Sequence, residues 1–348
     1  MNGVRGGPVR TYLPLAQALD NFTLELHTRV VRAVRTNSTI TGVEVEVNGA
    51  RETINLNPGG KVVLASGAMS TPRILFNSGI GPKEQIENVA SGNTLVRLPD
   101  KSAWIELPVG KRIQDHPLWT TTWNMTGEAA QRPIISMEEL MNPTEEMVNQ
   151  FAHATGVLVE NDIRMELWTD ITPSDGVTRY MQVEFFGKDT GQFNMEIFLT
   201  KGATSRGELG ITAEGATYFI KGPLMNTDGD KEAVNTFIEM LLDYSRQSDS
   251  AFVWPGPGGE NATVSDVLKD VYSGIHVVAS APIGTDDGRD GGHAVVDLDT
   301  RVYGTDNLFV VDASINPGVP TGNTMAITML VAEKATEKIL AFDSTQST

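Results

Sequence analysis

The spacing of apolar and polar positions changes character along the chain. In TYLPLAQAL, Tyr12, Leu15, Ala16 and Leu19 recur at helical spacing until the Asp20-Asn21 pair ends the run. From Phe22 the period becomes two. TLELHTRVVRAV and ITGVEVEV alternate across an Asn37-Ser38 turn, which predicts an antiparallel pair with one wet face. Glu44 and Glu46 fall on that wet face, which argues against their acting as an acid-base pair. KVVLAS then reads as a buried strand running into Gly67-Ala68. Thr71-Pro72 opens the helix PRILFNS, which Gly79 ends. A strand, a small-residue turn and a helix start allow backbone N–H groups to face an anion or a cofactor edge.

The middle of the chain has a different rhythm. MEELMNPTEEMVNQF predicts helical pieces broken at Pro143, and RMELWTDI, TRYMQVEFFG, FNMEIFLT, GELGITA and ATYFI follow as strands between Gly, Pro and Asp turns, the pattern of an antiparallel sheet. DKEAVNTFIEMLLDYSRQ is an amphipathic helix with Val234, Phe237, Ile238, Leu241 and Leu242 on one stripe, and WPGPGG breaks the chain after it. The end returns to α/β form. NLFVVDAS is a second buried strand, joined through INPGVPTGN to TMAITMLVAEKATEKIL, whose small and apolar residues predict a long packed helix. Gly322-Asn323-Thr324 places backbone donors beside the carboxyl end of that strand, where α/β folds bind ligands.

Composition narrows the function. The chain has 348 residues, 40% of them apolar and 20% charged, enough for a sizeable core and two structural units. Forty-four acidic against 27 basic residues give a net charge of −17, which argues against nucleic acid and against an anionic membrane surface as partners. No run approaches the length of a membrane span, and MNGVRGGPVR lacks the apolar core of a secretory signal. The absence of cysteine excludes disulfides, thiolate catalysis and Cys-ligated metals, so redox chemistry requires a borrowed cofactor. Asn21, Asn37, Asn124 and Asn261 begin N-glycosylation patterns, which favours secretion.

No G-x-G-x-x-G, Walker loop, G-x-S-x-G elbow or H-E-x-x-H stretch occurs. Of the five histidines, His27 falls on the alternating strand and His153 near a helix end, both positions suited to structural or solvated side chains. His116, in IQDHP, stands at a turn before proline, where packing or hydrogen bonding accounts for it. His276 stands in SGIHVVASAPIG among small and apolar residues, so it is half buried or more. By composition alone it reads as a satisfied core histidine. Asp286, Asp290, Gly291 and Asp297 fall at positions of a calcium loop, but Gly288 occupies a ligand position and the closing Glu is missing. An acidic surface turn is the simpler reading.

KVVLASGAMSTPRILFNSGIGP, LPVGKRIQDHP and the stretch from His276 through DNLFVVDASINPGVPTGNTMAITMLVAEKATEKIL together resemble, in order, the signature blocks of the glucose-methanol-choline (GMC) family of flavin oxidoreductases. Within it, GGPVRTYLPLAQAL, LWTDITPSDGVTRYMQ and TKGATSRGELGI most resemble the flavin domains of fungal cellobiose dehydrogenases. The resemblance implies an α/β (α+β) fold, with part of a flavin adenine dinucleotide (FAD) domain of glutathione-reductase type interleaved with an antiparallel-sheet substrate domain. The units expected are 1–125, the second half of the FAD domain; 126–268, the substrate domain; and 269–348, the return to the FAD domain.

It further implies hydride transfer from an alcohol carbon to flavin, with His276 as base and Asn323 binding the substrate oxygen. A neutral imidazole titrating near working pH suits the first role, and an amide that donates without competing for the proton suits the second. Asp312 and Ala313 match the pair near the flavin phosphate and ribitol. Asn323 and Thr324 match the start of the helix facing the flavin's pyrimidine oxygen, and Val30 matches the residue whose backbone meets adenine. Each has a plainer alternative: Asn323 an N-cap, Asp312 a turn former, Val30 a core residue. The implied substrate is cellobiose or a related cello-oligosaccharide, oxidised at its anomeric carbon to a lactone. Another sugar or alcohol oxidase of the family, or a silent fragment, is the alternative. An external acceptor or a cytochrome domain would reoxidise the flavin. The family's opening G-x-G-x-x-G unit is absent, which implies a truncated chain lacking that unit, a secretion signal and a cytochrome domain. Gly274-Ile275 stands where a polar pair precedes the family's catalytic His, and Thr324 where Pro is usual.

Overall fold

The computed structural model of the chain describes residues 6–131, 135–160 and 163–342. Its largest sheet runs in the order Phe252–Val253, Pro117–Met125, Gln192–Lys201, Arg179–Gly187 and Ile163–Ile171, all antiparallel, with Tyr272–Ser273 pairing on the start of Pro117–Met125. Alternation sorts its side chains. Trp119, Trp123, Met181, Val183, Phe185, Phe193, Met195, Ile197 and Leu199 form one face. On that face packs the helix Asp228–Ser245, which buries Val234, Phe237, Ile238, Leu241 and Leu242, the stripe its sequence predicts. Glu208–Ile211 and Thr217–Lys221 are strands as expected, but they pair with each other in a hairpin separate from the large sheet. The strand 117–125 lies on the amino-terminal side of the expected boundary at 125, yet its pairing is with this sheet.

The remaining elements form the second unit. Leu308–Val310 lies parallel to Val62–Leu64, and the helix Thr71–Asn77 follows the latter after the turn at Gly67. Val62, Leu64, Ile74, Leu75, Phe76, Leu308 and Val310 share one core, to which Val295, Val296 and Ile315 also belong. Leu308–Val310 is buried on both faces, which explains the continuous apolar run of NLFVV, whereas Val63 is 45% exposed, so KVVLAS is buried on one face and not throughout as its composition predicts. Beside them lies a three-stranded meander of Arg29–Thr36, Thr39–Val47 and Ala50–Asn55, turned at Asn37, whose φ is +54°.

Several expectations require correction. The opening helix is two short pieces, Pro8–Thr11 and Leu13–Gln17; Pro14 stands in the first turn of the second, where no backbone N–H is needed. His27 lies outside the strand, which starts at Arg29, because its left-handed φ of +57° interrupts the extended run. Glu44 is buried, contrary to the wet-face reading. The third strand folds back beside it and brings Arg51, so that Glu44 pairs with Arg32 at 2.8 Å and Arg51 at 3.4 Å. The closing helix Met325–Ala341 forms as predicted but is only lightly covered: Ala335 is its one buried residue, Val331 packs half-buried against the core, and Met325, Leu330 and Leu340 are exposed.

Candidate active site

Three consecutive residues before the Pro117–Met125 strand tie the two C-terminal loops together. Gln114 exchanges backbone hydrogen bonds with Val278, and its side-chain oxygen accepts the Val319 N–H at 3.1 Å. Asp115 accepts from the backbone N–H groups of His116 and His276, at 2.8 and 2.9 Å, and from the Ser273 hydroxyl. The Ser273 oxygen in turn accepts the N–H of Ile275 at 2.9 Å. This network holds Ile275, a β-branched residue, at φ +60°, a conformation such side chains rarely adopt, and leaves it 87% exposed. Gly274 fits because its N–H donates to the His116 carbonyl at 2.8 Å; a Cβ there would stand 3.0 Å from that oxygen.

His276 thereby reaches His116. Their Nδ1 atoms are 3.0 Å apart, and the rings meet edge to face. His116 is fully buried, with Nε2 3.0 Å from the Pro320 carbonyl oxygen. Burial, followed by the neighbouring His276, pushes the His116 pKa down to about 4, against the raising effect of the Thr200 and Pro320 carbonyls. His276 is half-buried, and burial lowers its pKa too, opposed by the Asp115 charge. Asp115 moves upward, because burial outweighs its hydrogen bonds and the His276 charge. Both imidazoles are thus held toward the neutral form, which a base requires.

His276 also packs against Phe198, on the second face of the large sheet. Strand pairing lays that face out in rows: Leu118, Phe198, Gln182 and Trp168 in the first, Thr120, Glu196, Glu184 and Glu166 in the next. Burial, then the charges of Glu166 and Glu196, raise the pKa of Glu184, and burial raises that of Glu196. The face beside His276 is therefore polar and acceptor-rich, with aromatic edges.

The other expected residues lie on the parallel strands and the loop after them. Asp312 follows Leu308–Val310 and reaches across to the neighbouring strand's turn, accepting from Gly67 N–H at 2.9 Å and the Thr71 hydroxyl at 2.6 Å. Its other oxygen caps the short helix Ala313–Ile315 through Ser314 N–H, so its turn-forming role is real as well. Ala313 packs with Val278, Ala279 and Val319, linking that turn to the loops that carry His276 and Pro320. Val30 is half-buried, paired with Val45 and packed on the core beneath the parallel strands. Asn323 is exposed and makes no side-chain hydrogen bond among the described residues. It does not cap the helix: Thr324 occupies that position, also without a side-chain cap, while its carbonyl accepts from the N–H and hydroxyl of Thr328. His116 joins His276 to this loop through Pro320, three residues before Asn323.

Local sequence gave little hint of Gln114, Asp115 or His116. Their partners lie roughly 160 to 205 positions away. The one available signal was the run IQDHP within the motif that resembles a family block. A cavity of about 960 Å³ is not this site. It lies at the far end of the sheet against the helix side and is lined by Met125, Phe185, Phe193, Met195, Leu241 and Phe252. In the acidic turn, Asp286 accepts the His293 N–H and Asp287 pairs with Arg289, and among the described residues no cluster of His and carboxylates suits a metal.

A polar sheet face and the His276 imidazole meet beside the carboxyl ends of the parallel strands, the edge at which α/β folds take ligands. The chain belongs to the GMC oxidoreductase family: residues 1–118 match the family's N-terminal profile and residues 203–332 its C-terminal one. The chain is 26% identical to the chloroplastic fatty acid photodecarboxylase of Chlamydomonas reinhardtii, over 96% of this chain and 59% of that protein. It is also 26% identical to oxygen-dependent choline dehydrogenase 1 of Chromohalobacter salexigens, over 98% of this chain and 61% of that protein. An FAD-dependent oxidoreductase from Chaetomium thermophilum shares the fold, with a TM-score of 0.73 at 16% identity, over 96% of this chain and 64% of that one. The chain thus spans about three fifths of the length of the curated relatives it matches.

Proposed function

We propose that the chain is the catalytic portion of an FAD-dependent oxidoreductase acting on a CH–OH group, with His276 as base. The observation that carries this reading is the His276 imidazole, held neutral and oriented by His116 at the seam between the polar sheet face and the parallel strands. The residues present fit a flavin at that edge. Gly67 and Gly322, at φ +82° and +89°, leave open space where a Cβ would stand, so a planar ligand can approach their backbone closely. Asp312, Ala313, Asn323 and Thr324 would hold the flavin and its ribityl chain, and Val30 the adenine side. When bound, FAD supplies the hydride acceptor.

The chain's own residues then divide the remaining work. His276 takes the proton from the hydroxyl oxygen as hydride leaves the carbon that bears it. The Asn323 amide, which has no side-chain hydrogen bond among the described residues, donates to the oxygen as negative charge develops on it. Gln182, Glu184 and Glu196 present hydrogen-bond acceptors, and Phe198 and Trp168 aromatic surface, to a hydroxyl-rich substrate. These features support cellobiose or a related sugar, oxidised to a lactone, with an external acceptor or a cytochrome domain taking the electrons onward. Secretion accompanies that reading. The carboxylate row also favours a second substrate class, a cationic alcohol, since Glu166, Glu184 and Glu196 stand directly opposite one another across adjacent strands.

The test is the visible spectrum of the chain after incubation with FAD and desalting, followed by anaerobic addition of cellobiose or, separately, choline. A retained flavin band that bleaches with sugar, and not in His276→Ala, is the expected result. Bleaching by choline alone would transfer the reading to the cationic alcohol, and a colourless protein would mean that this chain is catalytically silent by itself.

A further inference from the structure

We propose that His116 is a positioning residue that sets the tautomer of His276, keeping the His276 proton on Nδ1 and its Nε2 lone pair free. Pro320 fixes the first proton. A carbonyl oxygen only accepts, so the 3.0 Å contact from His116 Nε2 requires the His116 proton to be on Nε2. A neutral imidazole carries one ring proton, which leaves His116 Nδ1 as a lone pair. The 3.0 Å Nδ1 to Nδ1 contact then needs a proton from the other ring, and His276 is its one source. With its proton committed to Nδ1, His276 presents Nε2 as an acceptor.

The surroundings support each step. His116 is 1% exposed and sits in an enclosure that disfavours its charged form, so the single-proton count holds at neutral pH. The groups facing the pair are the Asp115 carboxylate, the Thr200 and Pro320 carbonyls and the Phe198 ring. Asp115 spends its hydrogen bonds on the backbone N–H groups of His116 and His276 and on Ser273, so it fixes the turn without competing for either ring. Gln114 and Ala313 pack the two loops that carry His276 and Pro320, keeping both contacts in register. The inference concerns this chain's imidazoles alone. It rests on the proposed function only in naming Nε2 as the atom that receives the substrate proton.

Long-range proton–nitrogen correlation spectra of the full chain labelled with ¹⁵N-histidine test it without flavin or turnover. His276→Ala and His116→Gln assign the two rings by loss of their signals. The expected pattern is a protonated Nδ1 and unprotonated Nε2 for His276, with the reverse for His116. In His116→Leu, the His276 pattern should collapse to a mixture of tautomers. In His116→Gln, whose amide oxygen can accept from Nδ1, it should persist. A wild-type His276 protonated at Nε2 overturns the inference, whatever the His116→Leu spectrum shows. So does a His116→Leu spectrum in which His276 is unchanged. If the pattern holds and no sugar or alcohol bleaches bound flavin, the proposed function fails and the tautomer assignment stands.

Discussion

Two helices of nearly equal length pack on two sheets with opposite results. Asp228–Ser245 buries a full apolar stripe against the antiparallel sheet, whereas Met325–Ala341, the more apolar by composition, buries Ala335 alone beside the parallel strands. The difference lies in arrangement. In the first helix apolar residues recur at i, i+3, i+4 and i+7 and polar ones fill the other face, so one docking direction removes most apolar surface from water. In the second, Met325, Ile327, Leu330, Val331, Ile339 and Leu340 are spread around the axis, and one flank cannot cover them. Hydrophobic content predicts that a helix seeks cover, and only periodicity predicts which neighbour in the chain supplies it.

The sharpest way to break the self-contained unit is at its buried ion pair. Arg179 and Asp230 are both fully buried, 3.0 Å apart, where the strand Arg179–Gly187 meets the helix. Asp230 also accepts from Thr204 and Ser205 backbone N–H groups, and Arg179 from its side donates to Asp175, Thr204 and the Val177 carbonyl. Arg179→Met leaves a buried carboxylate without its cation, which costs about 3–5 kcal/mol. Urea unfolding followed by tryptophan fluorescence measures it, since Trp119 and Trp123 report on this core. A loss under about 1 kcal/mol would show that water reaches the pair and that the unit is looser than its contacts indicate.

That unit was also the part most legible in sequence. FNMEIFLT and TRYMQVEFFG were named as strands, and the stripe of Val234, Phe237, Ile238, Leu241 and Leu242 named the buried face of the helix, because local period and tertiary burial coincide there. Legibility failed where burial came from distant segments. Glu44 obeys the alternation of a wet face, yet Arg32 and Arg51 pair with it there, Arg51 being tied in turn to the Thr94 carbonyl. The site was half legible: small residues around His276 signalled close packing, and the strand ends at Asp312 signalled a ligand edge. His116 was invisible as a partner, since its two contacts arise only when three separate loops converge.

The seam between the units carries the next largest effect. His116 titrates at 6.5 when unfolded and about 4 when folded. Below 6.5 the unfolded chain binds the proton and the folded chain does not, so the stability contributed by neutral His116 is complete above that pH and is lost as pH falls toward 4. The loss amounts to about 3 kcal/mol. His276, also lowered, acts in the same direction. Asp115 acts oppositely: its raised pKa means that the folded state gains relative stability as acid protonates it, which offsets part of the loss. Urea midpoints between neutral pH and about pH 4.5 should therefore fall, and His116→Gln should flatten the dependence. Amide exchange over the same range should open residues 273–276 and 317–323 before the Trp119 and Trp123 core. Simultaneous opening would mean that the two units unfold as one.

The smallest effect decides whether the contrast between the helices is real in solution. Leu330 is 64% exposed on Met325–Ala341, so Leu330→Ala removes little buried area and leaves no cavity. Ala is also the better helix former, which offsets the little contact that is lost. The expected change is within about 0.5 kcal/mol in the same urea assay. A core leucine truncated to alanine costs about 2–5 kcal/mol, several times the error of the method, so the two cases separate cleanly. A cost in that range would show that this helix lies covered when the chain folds in water. Its apolar residues would then belong to a second core, and the difference between the two helix and sheet pairs would be one of partner rather than of pattern.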